Sequence, residues 1–193
     1  MAVATAPPTS ELFTRRKFSA DEYHRMVGAG ILMEDDRVEL IEGDIVEMPP
    51  VGDPHVNAVD RLTEVFVVAF AGKARVSVQN PVRLSPRSEP QPDLLILRRE
   101  SFGRAGRPDD VLVLVEVSDS TLAYDRRVKL PLYAGYGIPQ VLILDMTGGV
   151  LNRYYEPQAD GYRHHERYVR GDRLTIDILP DVSITIEIDD LFK

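Results

Sequence analysis

Two acidic residues interrupt apolar segments that have the composition of buried strands. Glu116 lies near the end of the run from Val111 to Ser118, and Asp93 stands at the start of a run that ends at Leu97. A continuous apolar run is typical of a strand covered on both faces, and a charge inside such a strand costs free energy unless it is paired or bound to a metal ion. If the strands are neighbours, the two carboxylates can converge on Mg²⁺ or Mn²⁺, because ligation by oxygen alone selects hard cations.

A lysine follows Glu116 on a segment that is predicted to be helical, residues 122–136, beginning at about residue 122 or 125. Asp125, Lys129 and Tyr133 are four residues apart and therefore share one face of that helix. Lys129 could orient a metal-bound water or stabilise negative charge in a phosphoryl-transfer transition state. Asp125, one turn earlier, could hold the lysine in place.

The same residues also allow a purely structural interpretation. Asp93 could bond only to loop amides, and Glu116 with Lys129 could form a buried salt bridge. Asp125 with Lys129 could be an ordinary pair on a helix surface. The spacing alone leaves both interpretations open.

Two further candidates stand upstream. Glu39 lies between Val38 and Leu40 in the first strand of a predicted hairpin, where its side chain either faces solvent or points into a site as a third carboxylate. His55 lies in the first turn of a predicted helix, whose N-terminus disfavours a positively charged imidazole. His55 is therefore either a neutral site residue or a capping or surface histidine.

Other patterns predict the elements that would position these residues. Ser19 and Glu22 form a capping box at the start of a short helix, and Asp53 is predicted to cap a longer one. Residues 111–145 have the pattern of a strand, a helix and a second strand, which indicates a parallel pair, and Pro131 should kink that helix. The other predicted elements are a hairpin at 37–48, strand pieces at 75–79 and 82–85, a hairpin of 151–155 and 162–168, and terminal strand pieces at 174–178 and 182–186.

The composition limits the classes of protein. The chain has 193 residues, 44% of them hydrophobic, which suits one domain at 18–193 preceded by a flexible tail at 1–17. It has no cysteine, no apolar run long enough for a membrane span and no signal-peptide pattern, so a cytoplasmic location is expected. The net charge of −8 argues against a general nucleic-acid coat but not against a nuclease, whose metal ions offset site carboxylates. A modest candidate basic strip, for which solvated loop charges are the simpler interpretation, consists of Arg98, Arg99, Arg104 and Arg107.

Five motifs occur along the chain: Val38-Glu39-Leu-Ile-Glu-Gly43, Gln91-Pro92-Asp93, Glu116-Val-Ser118, the segment from Ser120 to Ala134, and Gly137-Ile-Pro139. Together they resemble the Uma-two family, whose bacterial members belong to the PD-(D/E)XK restriction-endonuclease-like superfamily. The resemblance covers roughly residues 18–192, and the third and fourth motifs are its most specific part.

The resemblance implies a fold and a set of roles. The expected fold is α/β (α+β), a restriction-endonuclease-like mixed β-sheet core flanked by helices, with an extra antiparallel hairpin. Asp93 and Glu116 match the metal ligands of the superfamily. The superfamily pattern places a lysine two residues after the glutamate, where this chain has Ser118. In the family a helix lysine is taken to substitute, and Lys129 matches it.

The resemblance also implies an activity. Glu39 matches the upstream acidic position of the family, with Glu42 as a competitor. The expected function is that of a metal-dependent endonuclease that hydrolyses phosphodiester bonds in DNA with Mg²⁺ or Mn²⁺. Apart from the resemblance, a homodimer is expected. The alternatives are a catalytically inactive dimeric or nucleic-acid-binding module of the same fold, and a hydrolase of a smaller phosphodiester or nucleotide. The strands at 151–155 and 162–168 could form a dimer interface or a sheet edge covered within the chain. The residues expected to support the site are Asp125, Ser118, Tyr133, His55, Gln91 and Glu42.

Overall fold

The computed structural model describes residues 14–33, 35–180 and 182–193, so most of the predicted tail, residues 1–13, lies outside the described part. Its strands are β1 (Val38–Ile41), β2 (Asp44–Glu47), β3 (Ala74–Val78), β4 (Leu94–Arg98), β5 (Val111–Ser118), β6 (Gln140–Asp145), β7 (Val150–Gln158), β8 (Gly161–Val169), β9 (Arg173–Leu179) and β10 (Val182–Glu187). Its helices are α1 (Ala20–Gly28), α2 (Asp53–Phe70), α3 (Leu122–Tyr124) and α4 (Leu130–Gly135). None of the helices in these ranges combines the length and apolar character needed to cross a membrane.

Six strands form the main sheet, in the order β3-β4-β5-β6-β7-β8. β5 and β6 are parallel, and every other neighbouring pair is antiparallel. The sheet is therefore mixed, and the predicted strand–helix–strand unit is confirmed. The predicted hairpin of aromatic strands is β7–β8, and it extends the main sheet through β6. The antiparallel hairpins outside this sheet are β1–β2 and β9–β10.

The strand register brings Asp93 beside Glu116. β4 and β5 run antiparallel, and Leu94 pairs with Val115. The residue before Leu94 and the residue after Val115 therefore lie at the same end of the strand pair. β5 is buried along its whole length, as its composition predicts.

Apolar layers cover both faces of the main sheet. On one face, α2 and the β9–β10 hairpin pack against residues that include Val115. On the other face, the helical segment between β5 and β6 packs through Tyr133 against residues that include Leu114. Because side chains along a strand alternate between the two faces, Glu116 shares with Leu114 the face that this helical segment covers.

The helical segment between β5 and β6 differs from the predicted single helix. A π-helical turn, Asp125–Lys129, joins α3 to α4, and we call the continuous segment from α3 to α4 the composite helix. The N–H of Leu130 donates to the carbonyl of Asp125, five residues back. Pro131 has no N–H to donate, so one backbone hydrogen bond would be missing at this position even in a regular α-helix. The composite helix closes before Gly137, whose φ of 74° suits glycine.

The β1–β2 hairpin lies outside the main sheet and is held by the chain that precedes α1. Lys17 pairs with Asp44, and the Phe18 N–H donates to the Gly43 carbonyl at 2.9 Å. Gly43 has a φ of 83°, and a Cβ there would lie 2.7 Å from the Lys17 Cβ. This close approach requires glycine in the turn and fixes the strand that carries Glu39.

Two predicted details of the secondary structure are wrong. The longer helix begins at Asp53 itself, and its N-cap is Gly52, which offers no side-chain hydrogen bond. The piece at 82–85 is not a strand but forms isolated bridges only. Pro81 and Pro86 flank it, and proline cannot donate to a strand ladder.

Candidate active site

A cavity of about 540 Å³ opens where the β1–β2 hairpin, the N-terminus of α2, the β4–β5 pair and the composite helix meet. The predicted site residues that line it are Glu39, His55, Gln91, Asp93, Glu116, Asp125 and Lys129. Ser118 and Tyr133 are buried and bond to two of these residues. The four arginines of the candidate basic strip do not line this cavity.

Glu116 is buried and accepts two contacts on the same oxygen. The Tyr133 hydroxyl donates to Glu116 Oε1 at 2.5 Å, and the Lys129 ammonium lies 3.2 Å from that oxygen. Burial raises the pKa of Glu116 well above its ordinary value. The charge of Lys129 opposes this shift, whereas the charges of Asp125 and Asp93 add to it. Glu116 therefore keeps its proton to a higher pH than an exposed glutamate does, and a bound cation would favour loss of that proton.

Lys129 bridges two carboxylates. Its Nζ lies 3.2 Å from Glu39 Oε2 and 3.2 Å from Glu116 Oε1. Burial alone would lower the pKa of Lys129, but the negative charges of Glu116 and Glu39 outweigh burial and raise it. The side chain is therefore an ammonium ion at neutral pH. Glu116 and Lys129 form the buried salt bridge of the structural interpretation, and this bridge lies inside the cavity.

Glu39 is the acidic residue of the hairpin that reaches the cavity. Its Oε2 accepts from the Gln91 N–H at 3.1 Å, and its Oε1 accepts from the Tyr124 hydroxyl at 3.2 Å. Glu42, its competitor, lies in the exposed hairpin turn at a φ of 48°. The Glu42 N–H donates to the Ser88 hydroxyl, and neither residue is among those that line the cavity.

Asp93 is fixed from two sides. Its Oδ2 accepts from the Val117 N–H at 2.7 Å, so Asp93 does bond to a backbone amide, as the structural interpretation allows. Its Oδ1 lies 3.1 Å from His55 Nε2. His55 Nδ1 is buried and has no hydrogen-bond partner among the described atoms. His55 is thus a buried residue of the cavity wall and not a capping or surface histidine.

Asp125 has a different contact from the predicted one. Its Oδ2 accepts from the Ser118 hydroxyl at 2.7 Å and from the Thr121 hydroxyl at 2.6 Å. These bonds tie the start of the composite helix to the end of β5. Asp125 acts on Lys129 and Glu116 through its charge and through the turn that it anchors. The pair of Asp125 and Lys129 is buried, so it is not a helix-surface pair.

Tyr124 is a site residue that the sequence did not reveal. Its hydroxyl bonds to Glu39, and its ring centroid lies 6.0 Å from Lys129 Nζ. Burial and the charge of Glu39 raise the pKa of Tyr124, so its hydroxyl remains protonated. Tyr124 and Lys129 are five residues apart, the repeat of a π-helical turn. An ideal α-helix would place them on different faces, which is why the spacing gave no signal.

The donor set suits a hard divalent cation that keeps most of its water. Within the described residues, no group of three or more histidine or acidic side chains is arranged to hold a metal ion. Asp93 and Glu116 lie side by side, and both described contacts of Glu116 end on Oε1. One or two carboxylates with several waters are the usual protein ligands of Mg²⁺. Asp93 and Glu116 could therefore hold such an ion.

Comparison with known proteins relates this architecture to a family. A crystal structure described as "a putative nuclease belonging to DUF820 from Anabaena variabilis ATCC 29413" superposes with a TM-score of 0.68 and 16% sequence identity, covering 91% of this chain and 97% of that one. At this identity the superposition shows a shared fold. No curated protein matches the chain. The model of the Uma2 family, described as "Putative restriction endonuclease", matches residues 20–187. The chain therefore belongs to the Uma2 family.

Proposed function

We propose that the chain is a metal-dependent endonuclease that hydrolyses phosphodiester bonds in DNA, with Mg²⁺ or Mn²⁺ as cofactor. The observation that carries the proposal is the meeting of Asp93, Glu116 and Lys129 in one cavity, from β4, β5 and the composite helix. Membership of the Uma2 family and the shared fold with a protein described as a "putative nuclease" support it.

Asp93 and Glu116 would hold the metal ion. A divalent ion bound there would polarise a phosphoryl oxygen and lower the pKa of a bound water. The charge balance of the cavity fits this assignment, because Glu39 and Glu116 share the single ammonium of Lys129. The negative charge that Lys129 leaves uncompensated attracts a cation.

Lys129 would act as a fixed positive charge. Because its pKa is raised, it cannot take a proton from the attacking water at neutral pH. Its ammonium can stabilise the negative charge that grows on the phosphoryl oxygens in the transition state. Glu39 and Glu116 hold the ammonium from two directions, so little reorganisation is needed during the reaction.

The proposal is tested by removing the first metal ligand. Asp93→Ala should abolish Mg²⁺- or Mn²⁺-dependent cleavage of plasmid DNA while the protein stays folded, as judged by its thermal melting. Asp93→Asn keeps the shape of the side chain and should be equally inactive. Asp177→Ala, on the exposed face of β9, should cleave like the wild type. Retained cleavage in a folded Asp93 variant would refute the assignment of Asp93 as a metal ligand of the nuclease.

Titration with Mn²⁺ by calorimetry separates this enzyme from a module of the same fold without turnover. An enzyme should bind Mn²⁺ through Asp93 and lose that binding in Asp93→Asn. A module that has lost turnover need not bind the metal at all.

We further propose a homodimer, supported by the outer edge of β8, the last strand of the main sheet.

A further inference from the structure

The groups of the candidate site lie below the protein surface. The side chains of Asp93, Lys129 and Glu116 are 14%, 6% and 5% exposed. A phosphate must come within a metal-ligand distance of these groups to react. The phosphates of a double helix lie on the outside of a body far wider than this cavity. A regular duplex resting on the rim would therefore keep its phosphates away from the carboxylates.

The size of the cavity matches one nucleotide unit. Its volume of about 540 Å³ falls within the range of about 300–1,000 Å³ that is usual for small-ligand pockets. Enzymes that must reach an atom enclosed by the base stack draw a single nucleotide out of it into such a pocket. The volume therefore favours entry of one unpaired nucleotide together with its phosphate.

The cavity has two chemically different walls. Asp93, Glu116 and Lys129 form the charged wall. A second, apolar wall comes from β2 and the loop before α2 and consists of Val46, Met48, Pro49, Pro50 and Val51. An apolar wall in the same cavity as a phosphate-processing group offers a contact surface for the face of a base or the edge of a sugar.

The rim of the cavity is acidic. Among the described residues that line it, the exposed acidic ones are Asp35, Asp36, Glu47 and Asp119, and the exposed arginine is Arg37. A duplex carries one phosphate per about 1.7 Å of its axis, and binding usually depends on basic residues that neutralise them. The second strand of a duplex would add repulsion at this rim and gain no contact. A single strand brings fewer charges to the same place.

We propose that the cavity takes one unpaired nucleotide of a nucleic-acid strand, with its base or sugar on the apolar wall and its phosphate at Asp93, Glu116 and Lys129. The inference rests on the proposed nuclease function and specifies the substrate as single-stranded or locally unpaired. An intact duplex reaches the carboxylates only where a nucleotide leaves the stack.

Matched substrates test the inference. One end-labelled DNA sequence is offered as a single strand, as a perfect duplex and as a duplex with a central bulged nucleotide, in Mg²⁺ and in Mn²⁺. The single strand and the bulge should be cleaved at least about tenfold faster than the perfect duplex. Equal rates on the perfect duplex and the single strand would overturn the inference and leave the nuclease function standing.

A variant that fills the cavity mouth separates this substrate class from a general loss of activity. Val51 is 38% exposed and lines the cavity, whereas Val68 is 75% exposed on α2 and does not line it. Val51→Trp occupies space that the nucleotide needs and should slow cleavage of the single strand by about tenfold or more, and Val68→Trp should leave it unchanged. Equal behaviour of the two folded variants would contradict the inference.

Two outcomes concern the substrate and the function separately. Cleavage of dinucleotides without cleavage of any longer strand would replace the inference by a smaller phosphodiester substrate. Absence of cleavage on every substrate would refute the proposed function. In that case, binding of the labelled DNAs by fluorescence anisotropy still decides the inference. It stands if the single strand binds more tightly than the duplex and Val51→Trp removes the difference, and it falls otherwise.

Discussion

Among single residues, His55 has an arrangement that points to a role for one ring nitrogen. Nδ1 is buried without a partner among the described atoms, while Nε2 lies 3.1 Å from Asp93 Oδ1, within hydrogen-bonding distance. Asp93 is thus the acidic group that the ring contacts, and we expect His55 to act as a positioning residue for this carboxylate.

Replacing His55 should weaken metal binding without unfolding the protein. His55→Leu should lower the affinity for Mn²⁺ by about 10- to 100-fold, the usual effect of removing a partner that orients a metal ligand. His55→Gln places an amide nitrogen near the position of Nε2 and should restore much of the affinity. Calorimetric titration gives both values, and thermal melting reports folding.

His24 provides the matched control. Its Nε2 contacts Glu89, and it does not line the cavity. His24→Leu should therefore bind Mn²⁺ like the wild type. If folded His55→Leu also binds Mn²⁺ like the wild type, His55 does not position Asp93.

Glu116 makes metal binding depend on pH. Its ordinary pKa is 4.5, and in the folded protein burial raises it. Between these two values the folded state holds a proton that a metal ion must displace, so affinity for Mn²⁺ should rise with pH and binding should release a proton. Titrations in two buffers of different ionisation enthalpy measure that release. Equal affinity throughout the range from about pH 5 to pH 8 would contradict the shift.

The same shift has a consequence for the metal-free protein. A raised pKa in the folded state contributes stability that is fully present below pH 4.5 and is lost as the pH rises through the folded value. Glu116→Gln removes this titration and should not lose stability over that window. Lys129, with its raised pKa, stays protonated there and does not contribute to the slope.

Among the elements, the composite helix decides where the lysine of the site lies. A strand residue two positions after Glu116 is Ser118, which is fully buried and bonds to Asp125. Lys129 must therefore reach Glu116 from the helix, and the π-helical turn sets its direction. The sequence predicted the helix and the shared face of Asp125, Lys129 and Tyr133, but the extra residue of a π-turn depends on tertiary contacts and Pro131. The sequence therefore could not predict that Lys129 and Tyr124 lie on the same side of the composite helix.

The anchor of that turn can be removed. In Asp125→Ala the buried Ser118 hydroxyl loses its acceptor, which should lower the free energy of unfolding by about 1–3 kcal/mol. Cleavage should also fall, because the turn that carries Lys129 loses its tie to β5. Urea denaturation at unchanged m-value measures the first effect.

Arg127 is exposed on the same turn and provides the control. Arg127→Ala should change stability by no more than about 0.5 kcal/mol, as is usual for surface substitutions. Asp125→Asn keeps an acceptor oxygen and should lie between the two. Equal stability of Asp125→Ala and Arg127→Ala would show that the turn does not need this anchor.

The β1–β2 hairpin shows a second limit of prediction from the sequence. The turn at Gly43 with apolar residues on both sides predicted β1–β2, and the structure confirms it. Whether Glu39 faced solvent or a site could not be deduced, because the answer depends on the Gln91 N–H and Lys129, which lie 52 and 90 residues away in sequence. Local patterns predict an element well, whereas the partner of an isolated charge is a long-range property.

For the whole molecule, the register of β4 on β5 was the information that the sequence lacked. Apolar runs predicted both strands, but only the pairing of Leu94 with Val115 brings Asp93 beside Glu116. A shift by one residue would turn the side chains of one strand to the opposite face. The resemblance to a known family supplied this adjacency indirectly, since it assigned both carboxylates to one site.

The outer edge of the main sheet carries the prediction for assembly. The tyrosine hydroxyls of β7 and β8 are used within the chain. Tyr162 donates to the Ile138 carbonyl at 2.8 Å, and Tyr155 and Tyr168 donate to Glu166 at 3.0 and 2.8 Å. Because these hydrogen bonds use the tyrosine hydroxyls within the chain, the β7–β8 face belongs to the fold and is not the expected contact surface. The backbone edge of β8 is different, because an edge strand presents N–H and C=O groups that can pair with a second strand.

We therefore expect a homodimer formed by antiparallel pairing of β8 with its copy about a two-fold axis. Light scattering across a dilution series should give twice the mass of one chain at high concentration. In the dimer, alternate amides of β8 should be protected from hydrogen exchange, and that protection should fall on dilution while the β4 and β5 amides stay protected. A monomer at all concentrations, or a dimer whose outer β8 amides exchange as freely as those of a monomer, would place the assembly elsewhere or exclude it. The cavity lies at β4 and β5, which β6 and β7 separate from β8 in the sheet. Dissociation of the dimer should therefore leave Mn²⁺ binding by each chain unchanged.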